Sequence, residues 1–72
     1  MKYEVLVQEG DGGFLFPVAT TDNLALAIAM TKSVREIQAA AGRTIHDICI
    51  HDRSKSKNEA GRFMRENGEA VL

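Results

Sequence analysis

The chain opens with a pattern typical of a β-hairpin. Residues 2–9 alternate apolar and polar side chains, residues 10–13 form the glycine-rich stretch Gly-Asp-Gly-Gly, and residues 14–18 are a second apolar run. Alternation with a period of two predicts a strand with one buried face, and Gly and Asp suit a tight turn. Because Pro17 cannot donate to a ladder of hydrogen bonds, the second strand is predicted to lie at an edge of the sheet or to end there.

A long helix is predicted after the hairpin. Thr21 or Asp22 can accept hydrogen bonds from the amides of a first helical turn, and Gly42 suits the left-handed backbone that often follows a last turn. These signals place the helix over residues 22–41. Apolar residues at helical spacing form a stripe that we expect to lie on the sheet. The stripe consists of Leu26, Met30, Val34, Ile37 and Ala41.

The rest of the chain predicts one more strand and a short final element. Residues 44–52 are expected to pair beside the first strand through a right-handed crossover. For residues 57–72, the capping pattern Ser56-x-x-Glu59 favours a short helix, whereas Asn67-Gly68 also suits a hairpin turn. The predicted fold class is therefore α+β. It has a ββαβ core, a three-stranded sheet of order 2-1-3 with one helix packed on a face, and a short C-terminal helix or hairpin.

Length and composition limit the class of protein. A chain of 72 residues makes a single small α+β domain over 1–72, and it buries only about 60% of the surface of its unfolded form. No stretch approaches the roughly 20 apolar residues of a membrane span, and the N-terminus does not have the pattern of a secretory signal. Cys49 is the only cysteine, which excludes an internal disulfide and fits a reducing compartment. We therefore expect a cytoplasmic protein with no membrane partner.

One constellation resembles a catalytic or metal site. On a strand, Asp47, Cys49 and His51 would project from the same face, and all three residue types bind zinc. A thiol beside an imidazole can also be an activated nucleophile. Because a structural zinc site needs four ligands and there is no second cysteine, a half-buried strand is the favoured interpretation. No catalytic residue, metal or cofactor is predicted, and a metal- or thiol-dependent enzyme is the least favoured function.

Several apolar residues are left partly exposed by the simplest fold, which favours an interaction surface. Part of them could be covered by the C-terminal segment. The predicted partner interface consists of Leu6, Leu15, Leu24, Ile28 and Arg35. We therefore expect a small non-enzymatic protein-interaction module that binds or inhibits a macromolecular partner, with homodimerisation left open. Regulators and inhibitors encoded by phages or mobile elements have this size.

A basic segment supports an alternative function. The first 31 residues carry a net charge of −3 and the remaining residues carry +2. The cations that could contact phosphates are Arg53, Lys55, Lys57, Arg62 and Arg65. They are interleaved with acids, and few aromatic residues are present to stack on bases. A nucleic-acid-binding accessory protein is therefore the second hypothesis, after a protein-interaction module.

Part of the chain resembles a known family. The sequence Lys2-Tyr3-Glu4-Val5 followed by Asp11-Gly12-Gly13-Phe14 looks like the opening of HicB-type antitoxins, in which a strand, an Asp-Gly-Gly turn and a further strand precede a helix. The similarity covers residues 2–18. The Pro-Gly-Cys stretch and the third strand that the family has before its helix are missing. The resemblance therefore implies a local fold that acts by binding, and no residue role is carried over.

Overall fold

The chain folds into a four-stranded antiparallel sheet with one helix on one of its faces. The structure is a computed structural model that describes residues 1–10 and 13–71. The elements are β1 Tyr3–Glu9, β2 Leu15–Thr21, α1 Leu24–Ala40, β3 Ile45–Asp52 and β4 Phe63–Met64. The strand order is β2-β1-β3-β4. The predicted α+β class and the order 2-1-3 are confirmed, and β4 adds a fourth strand beside β3.

The core lies between the helix and one face of the sheet, called here the helix-covered face. Its buried apolar side chains come from three strands and the helix: Tyr3, Val5, Val7, Ala27, Ile48, Ile50 and Met64. Val5, Val7 and Ile50 are fully buried, and burying a side chain of this size stabilises a fold by about 1.5–3 kcal/mol. The alternation in β1 and β3 therefore marks the core face as expected.

The second strand is interrupted by a β-bulge. Leu6 pairs with Pro17 and Val5 pairs with Ala19, which leaves Val18 as an extra residue. Residues directly opposite each other in a ladder share a face, so Phe16 and Ala19 both lie on the helix-covered face. Strict alternation would place Ala19 on the same face as Pro17, and the bulge moves it to the other face. The glycine-rich turn predicted before β2 includes residues 11 and 12, which lie outside the described residues.

The N-cap lies one residue after Asp22 and two after Thr21, the two predicted caps. Asn23 is the N-cap, and its side-chain oxygen accepts a hydrogen bond from the Leu26 amide at 3.0 Å. Asp22 instead accepts from the backbone nitrogen of Lys2 at 2.7 Å. Gly42 ends the helix with a φ of +75°, as predicted, because the left-handed backbone there suits a residue without a Cβ atom.

The buried side of the helix overlaps the predicted stripe only in part, since Met30 and Val34 pack against the core as expected. Within α1, Ala27 and Thr31 are buried, whereas Leu26 is 48% exposed and Ile37 is 64% exposed. The small side chain of Ala27 allows a close approach of the helix to the sheet. The helix is therefore rotated so that Leu26 and Ile37 lie at one flank of it and not beneath it.

The C-terminal segment is a hairpin, so the favoured short helix is wrong and the alternative is confirmed. The Arg65 amide donates to the Glu69 carbonyl at 2.8 Å, and the Val71 amide donates to the Phe63 carbonyl at 3.0 Å. Gly61 has a φ of +81°, which a helix cannot contain. Ladder pairing with β3 and burial of Met64 in the core outweigh the local helix signals.

The described residues contain no helix long and apolar enough to cross a membrane.

Candidate interaction surface

Asp47, Cys49 and His51 lie on one face of a strand as expected, and they carry the least favoured hypothesis, a metal- or thiol-dependent enzyme. β3 carries Asp47, Cys49 and His51 on the face opposite the helix, called here the uncovered face. The Cys49 thiol is buried, and this burial, together with the charge of Asp47, raises its pKa to about 11. At neutral pH it is therefore a neutral thiol and a poor nucleophile. No cluster of three metal-binding side chains occurs within residues 1–10 and 13–71.

His51 belongs to a row of side chains that crosses the uncovered face. Its Nδ1 lies 3.1 Å from Oε1 of Glu4, and its ring stacks on Phe63 with centroids 4.8 Å apart and 18° between the planes. The Arg62 guanidinium lies 5.1 Å from the centroid of Phe63, within range of a cation–π contact. The row follows directly from the register, because Glu4 pairs with His51 and His51 pairs with Phe63.

The apolar centre of the uncovered face is largely buried, although none of the helices and strands in the described part of the chain lies over it. Leu6 is only 8% exposed and pairs with Cys49, which is also buried. The long polar side chains of Glu4 and Gln8 flank Leu6 on the same face, and Gln8 donates to the Gly13 carbonyl at 2.6 Å. The uncovered face therefore offers little apolar surface at its centre to a partner.

The five residues of the predicted partner interface do not form one surface. Leu6 and the half-exposed Leu15 pair with residues of the uncovered face. Leu24 and Ile28 are partly buried and pack against the core from the helix. Arg35, also on the helix, donates from Nε to Oε1 of Glu66 at 3.0 Å. The structure thus divides this set between the two sides of the sheet.

Two of the five predicted phosphate-contacting cations stabilise the loop that carries them. Lys55 Nζ donates to the Ala60 carbonyl at 3.2 Å, and Arg62 Nη1 donates to the Lys57 carbonyl at 3.3 Å. The other three, Arg53, Lys57 and Arg65, are exposed. The loop also lines a pocket of about 170 Å³, which is below the roughly 300 Å³ at which small-molecule sites begin.

A surface that the sequence analysis did not assign lies at the β2 edge. β2 is the outermost strand on its side of the sheet, and Phe14, just before it, is 92% exposed. Leu26 and Ile37 are the exposed large apolar residues of the helix, and Met30 beside them is partly buried. We call this set the β2/α1 surface. It consists of Phe14, Phe16, Val18, Leu26, Met30 and Ile37.

The helix contacts fix which flank of α1 faces β2. Ile28 lies against Gly68, and Arg35 pairs with Glu66, so this flank faces the C-terminal hairpin. The hairpin and β2 are at opposite edges of the sheet. At 100° per residue, Leu26 lies about 160° around the helix from Ile28. Leu26 therefore belongs to the flank on the β2 side, as do Met30 and Ile37.

The β2/α1 surface is apolar, uncharged and large for this protein. No charged residue occurs over residues 12–21, and the charged residues of the helix, Lys32, Arg35 and Glu36, are not among those of the surface. One ion pair borders it: Glu9 lies beside Phe14, because Gln8 pairs with Leu15, and its Oε1 is 3.4 Å from Arg43 Nη1. The exposed parts of its residues amount to on the order of 600 Å², taking roughly 200 Å² for each fully exposed residue. Apolar patches of this extent mark interaction sites in many monomeric proteins.

Two signals in the sequence could have identified this surface. The run Phe-Leu-Phe-Pro-Val at residues 14–18 is apolar at every position, although a strand at the edge of a two-layer fold needs only one apolar face. The helix also carries apolar residues on two sides, Leu24 and Ile28 on one and Leu26 and Ile37 on the other. A single helix on a single sheet can bury only one of these sides well.

Comparisons with models of protein families, with curated proteins and with solved structures find no match for this chain. The resemblance of residues 2–18 to HicB-type antitoxins accordingly remains local and does not amount to membership of that family.

Proposed function

We propose that this chain is a non-enzymatic protein-interaction module that regulates or inhibits a protein partner bound at the β2/α1 surface. The observation that supports the proposal is an uncharged apolar surface on a chain in which 26% of the residues are charged. Apolar surface of this extent is unfavourable in water, and covering it with another apolar surface is favourable.

The chemistry of the surface selects the class of partner. A charged group buried against Phe14 or Ile37 would lose its hydration without gaining a compensating charge, so the complementary surface is apolar. A nucleic acid does not fit here, because its phosphates require cations. The β2/α1 surface is therefore suited to a protein.

The backbone of β2 suggests that side chains carry most of the recognition. Pro17 has no amide hydrogen to donate, and the bulge at Val18 disturbs the edge next to it. Proline and bulges are features by which natural edge strands avoid long ladders with other chains. We therefore expect side-chain packing with at most a short stretch of backbone pairing.

The experiment compares what three tagged forms of the chain recover from cells of the native host. They are wild type, Ile37→Glu and the control Ala25→Glu, in which an exposed residue on the same helix, about 120° around it from Ile37, receives the same charge. Each lysate is divided into a nuclease-treated and an untreated half. We expect wild type and control to recover a stoichiometric protein after nuclease treatment, and Ile37→Glu to lose it.

Two results would contradict the proposal. Equal recovery by Ile37→Glu and wild type would show that binding does not use the β2/α1 surface. Recovery that disappears with nuclease treatment would favour the basic segment and the nucleic-acid hypothesis.

A further inference from the structure

We infer that the partner that covers the β2/α1 surface is a second copy of this chain, related to the first by a twofold axis at the β2 edge. The inference rests on the proposed function and names the partner of that same surface. Four features of the described residues support it: the incomplete burial of the helix, the uncharged residues of the β2/α1 surface, the exposed apolar area of that surface, and the position of the helix on the sheet.

The helix is poorly covered in a single copy. Of its 17 residues, Ala27 and Thr31 are buried, Leu24, Ile28, Met30 and Val34 pack against the core but stay partly exposed, and Leu26 and Ile37 are exposed. Helices in proteins are stabilised mainly by packing of their apolar side, and a chain of 72 residues has a small core. A second copy is the partner that is present whenever the chain folds, and at the same concentration. A second copy is therefore the simplest partner to bury the flank of α1 that carries Leu26 and Ile37.

The absence of charge makes the surface complementary to itself. A twofold contact places a patch against the same patch, so a charged patch meets like charges near the axis. The basic segment around Arg53 and Lys57 would repel its own copy in such a contact. The residues of the β2/α1 surface are uncharged, the Glu9–Arg43 ion pair at its border has no net charge, and the net charge of −1 per chain opposes association only weakly.

The exposed apolar area fits a reversible dimer. The surface offers on the order of 600 Å² per copy, whereas a standard stable interface buries about 800 Å² per partner. An interface at the low end of this range is expected to dissociate on dilution, so both states are accessible to measurement.

In such a dimer the two copies of α1 lie too far apart to touch. Aromatic side chains of the β2/α1 surface can fill the gap between them. α1 contacts β2, β1 and β3, with β1 in the middle. A twofold axis perpendicular to the sheet at the β2 edge keeps both helices on one face, with their axes about 14 Å apart at a strand spacing of about 4.8 Å. Helices in direct contact lie about 8–10 Å apart. Phe16 lies on the helix-covered face of β2 and, with its copy, occupies this gap.

The test is sedimentation equilibrium of the purified full chain from about 1 µM to about 300 µM, a range that reaches the weak end of interfaces of this size. We expect a monomer at the lowest concentration and a dimer at the highest. Phe14→Ser and Ile37→Glu should each raise the dimer Kd more than about tenfold, whereas Ala25→Glu should leave it unchanged. Phe14 and Ile37 are largely exposed in the monomer, and circular dichroism checks that each variant is folded.

Each contrary result has a separate meaning. A wild-type chain that stays monomeric up to the highest concentration would overturn the inference. A dimer with the same Kd in both variants would also overturn it, because the contact would then lie elsewhere on the molecule. The chain could be monomeric while wild type still recovers a different protein that Ile37→Glu does not. In that case the inference fails and the proposed function stands.

Discussion

Gly68 lies directly against Ile28. The two residues are so close that a Cβ atom built on Gly68 would be 2.8 Å from Cδ1 of Ile28. The contact places the turn of the C-terminal hairpin beside the helix. It covers the flank of α1 that carries Ile28, and the flank that carries Leu26 and Ile37 remains exposed. The hairpin therefore determines which flank of the helix is available to a partner.

Gly68→Ala is expected to lower the free energy of unfolding by about 2 kcal/mol, measured by urea denaturation at a fixed protein concentration. About 1 kcal/mol arises from the left-handed backbone, since φ is +88°, and the remainder from displacement of Ile28. Gly42→Ala is the control, because Gly42 has a φ of +75° and nothing within 4 Å of a Cβ atom. Equal losses in the two variants would show that the contact with Ile28 contributes nothing.

The Cys49 thiol is expected to react slowly in the folded protein. It is buried, and its pKa is raised to about 11, so both access and the thiolate fraction are low at pH 8. An aromatic disulfide reagent should label it at the rate of unfolding or local opening, and rapidly in denaturant. Rapid labelling of the native protein would contradict the burial of this side chain.

The same thiol makes stability fall at alkaline pH. The unfolded chain releases the Cys49 proton near its ordinary pKa of 9.0, whereas the folded chain holds it until about 11. The folded state therefore binds more protons in this window, and the free energy of unfolding decreases as pH rises from 9 to 11. Cys49→Ala should remove this part of the decrease. An identical pH dependence in the two proteins would contradict the assignment.

Asp52 has the opposite effect, at acid pH. Burial alone would raise its pKa, but hydrogen bonds from the Ser54 hydroxyl and amide, together with the charges of Lys2 and Lys55, outweigh burial and lower it. Its contribution to stability is thus present above the ordinary value of 3.8 and is lost as pH falls through the lower folded pKa. Asp52→Asn should lose this acid-dependent component, which denaturation between pH 2 and pH 5 would measure. A variant with an unchanged acid profile would show that Asp52 does not contribute.

The nucleic-acid hypothesis stays a prediction with its own test. It expects affinity for a single-stranded oligonucleotide that falls steeply with salt and is lost when exposed cations are removed. The appropriate variant replaces Arg53, Lys57 and Arg65 with alanine, because Lys55 and Arg62 bond the loop backbone. Our account expects fluorescence anisotropy to show no difference between this variant and wild type at physiological salt.

Local patterns in the sequence predicted the parts of the fold that depend on neighbouring residues. Alternation identified β1 and β3, and Gly42 marked the end of the helix. The C-terminal hairpin was only the second choice because the capping pattern Ser56-x-x-Glu59 favours a helix locally, whereas the pairing of Met64 with Ile50 joins distant parts of the chain. Long-range pairing of this kind overrides local propensity.

The candidate surface was missed for a related reason. The stripe containing Leu26 and Ile37 has the right spacing to lie on a sheet, and so does the side containing Ile28. Spacing alone cannot choose between two apolar sides of one helix. The choice depends on Gly68, 40 residues further along the chain, because the hairpin that contains it packs beside Ile28.

The most direct test of the account is a dilution series of the isotope-labelled chain followed by two-dimensional NMR. Covering the β2/α1 surface should shift the amide signals of Phe14, Leu15, Phe16 and Val18 and those around Leu26 and Ile37 as concentration rises. Signals of the loop over residues 53–62 should stay constant. Concentration-dependent shifts in that loop, with none at the β2 edge, would contradict the assignment of the β2/α1 surface as the site of interaction.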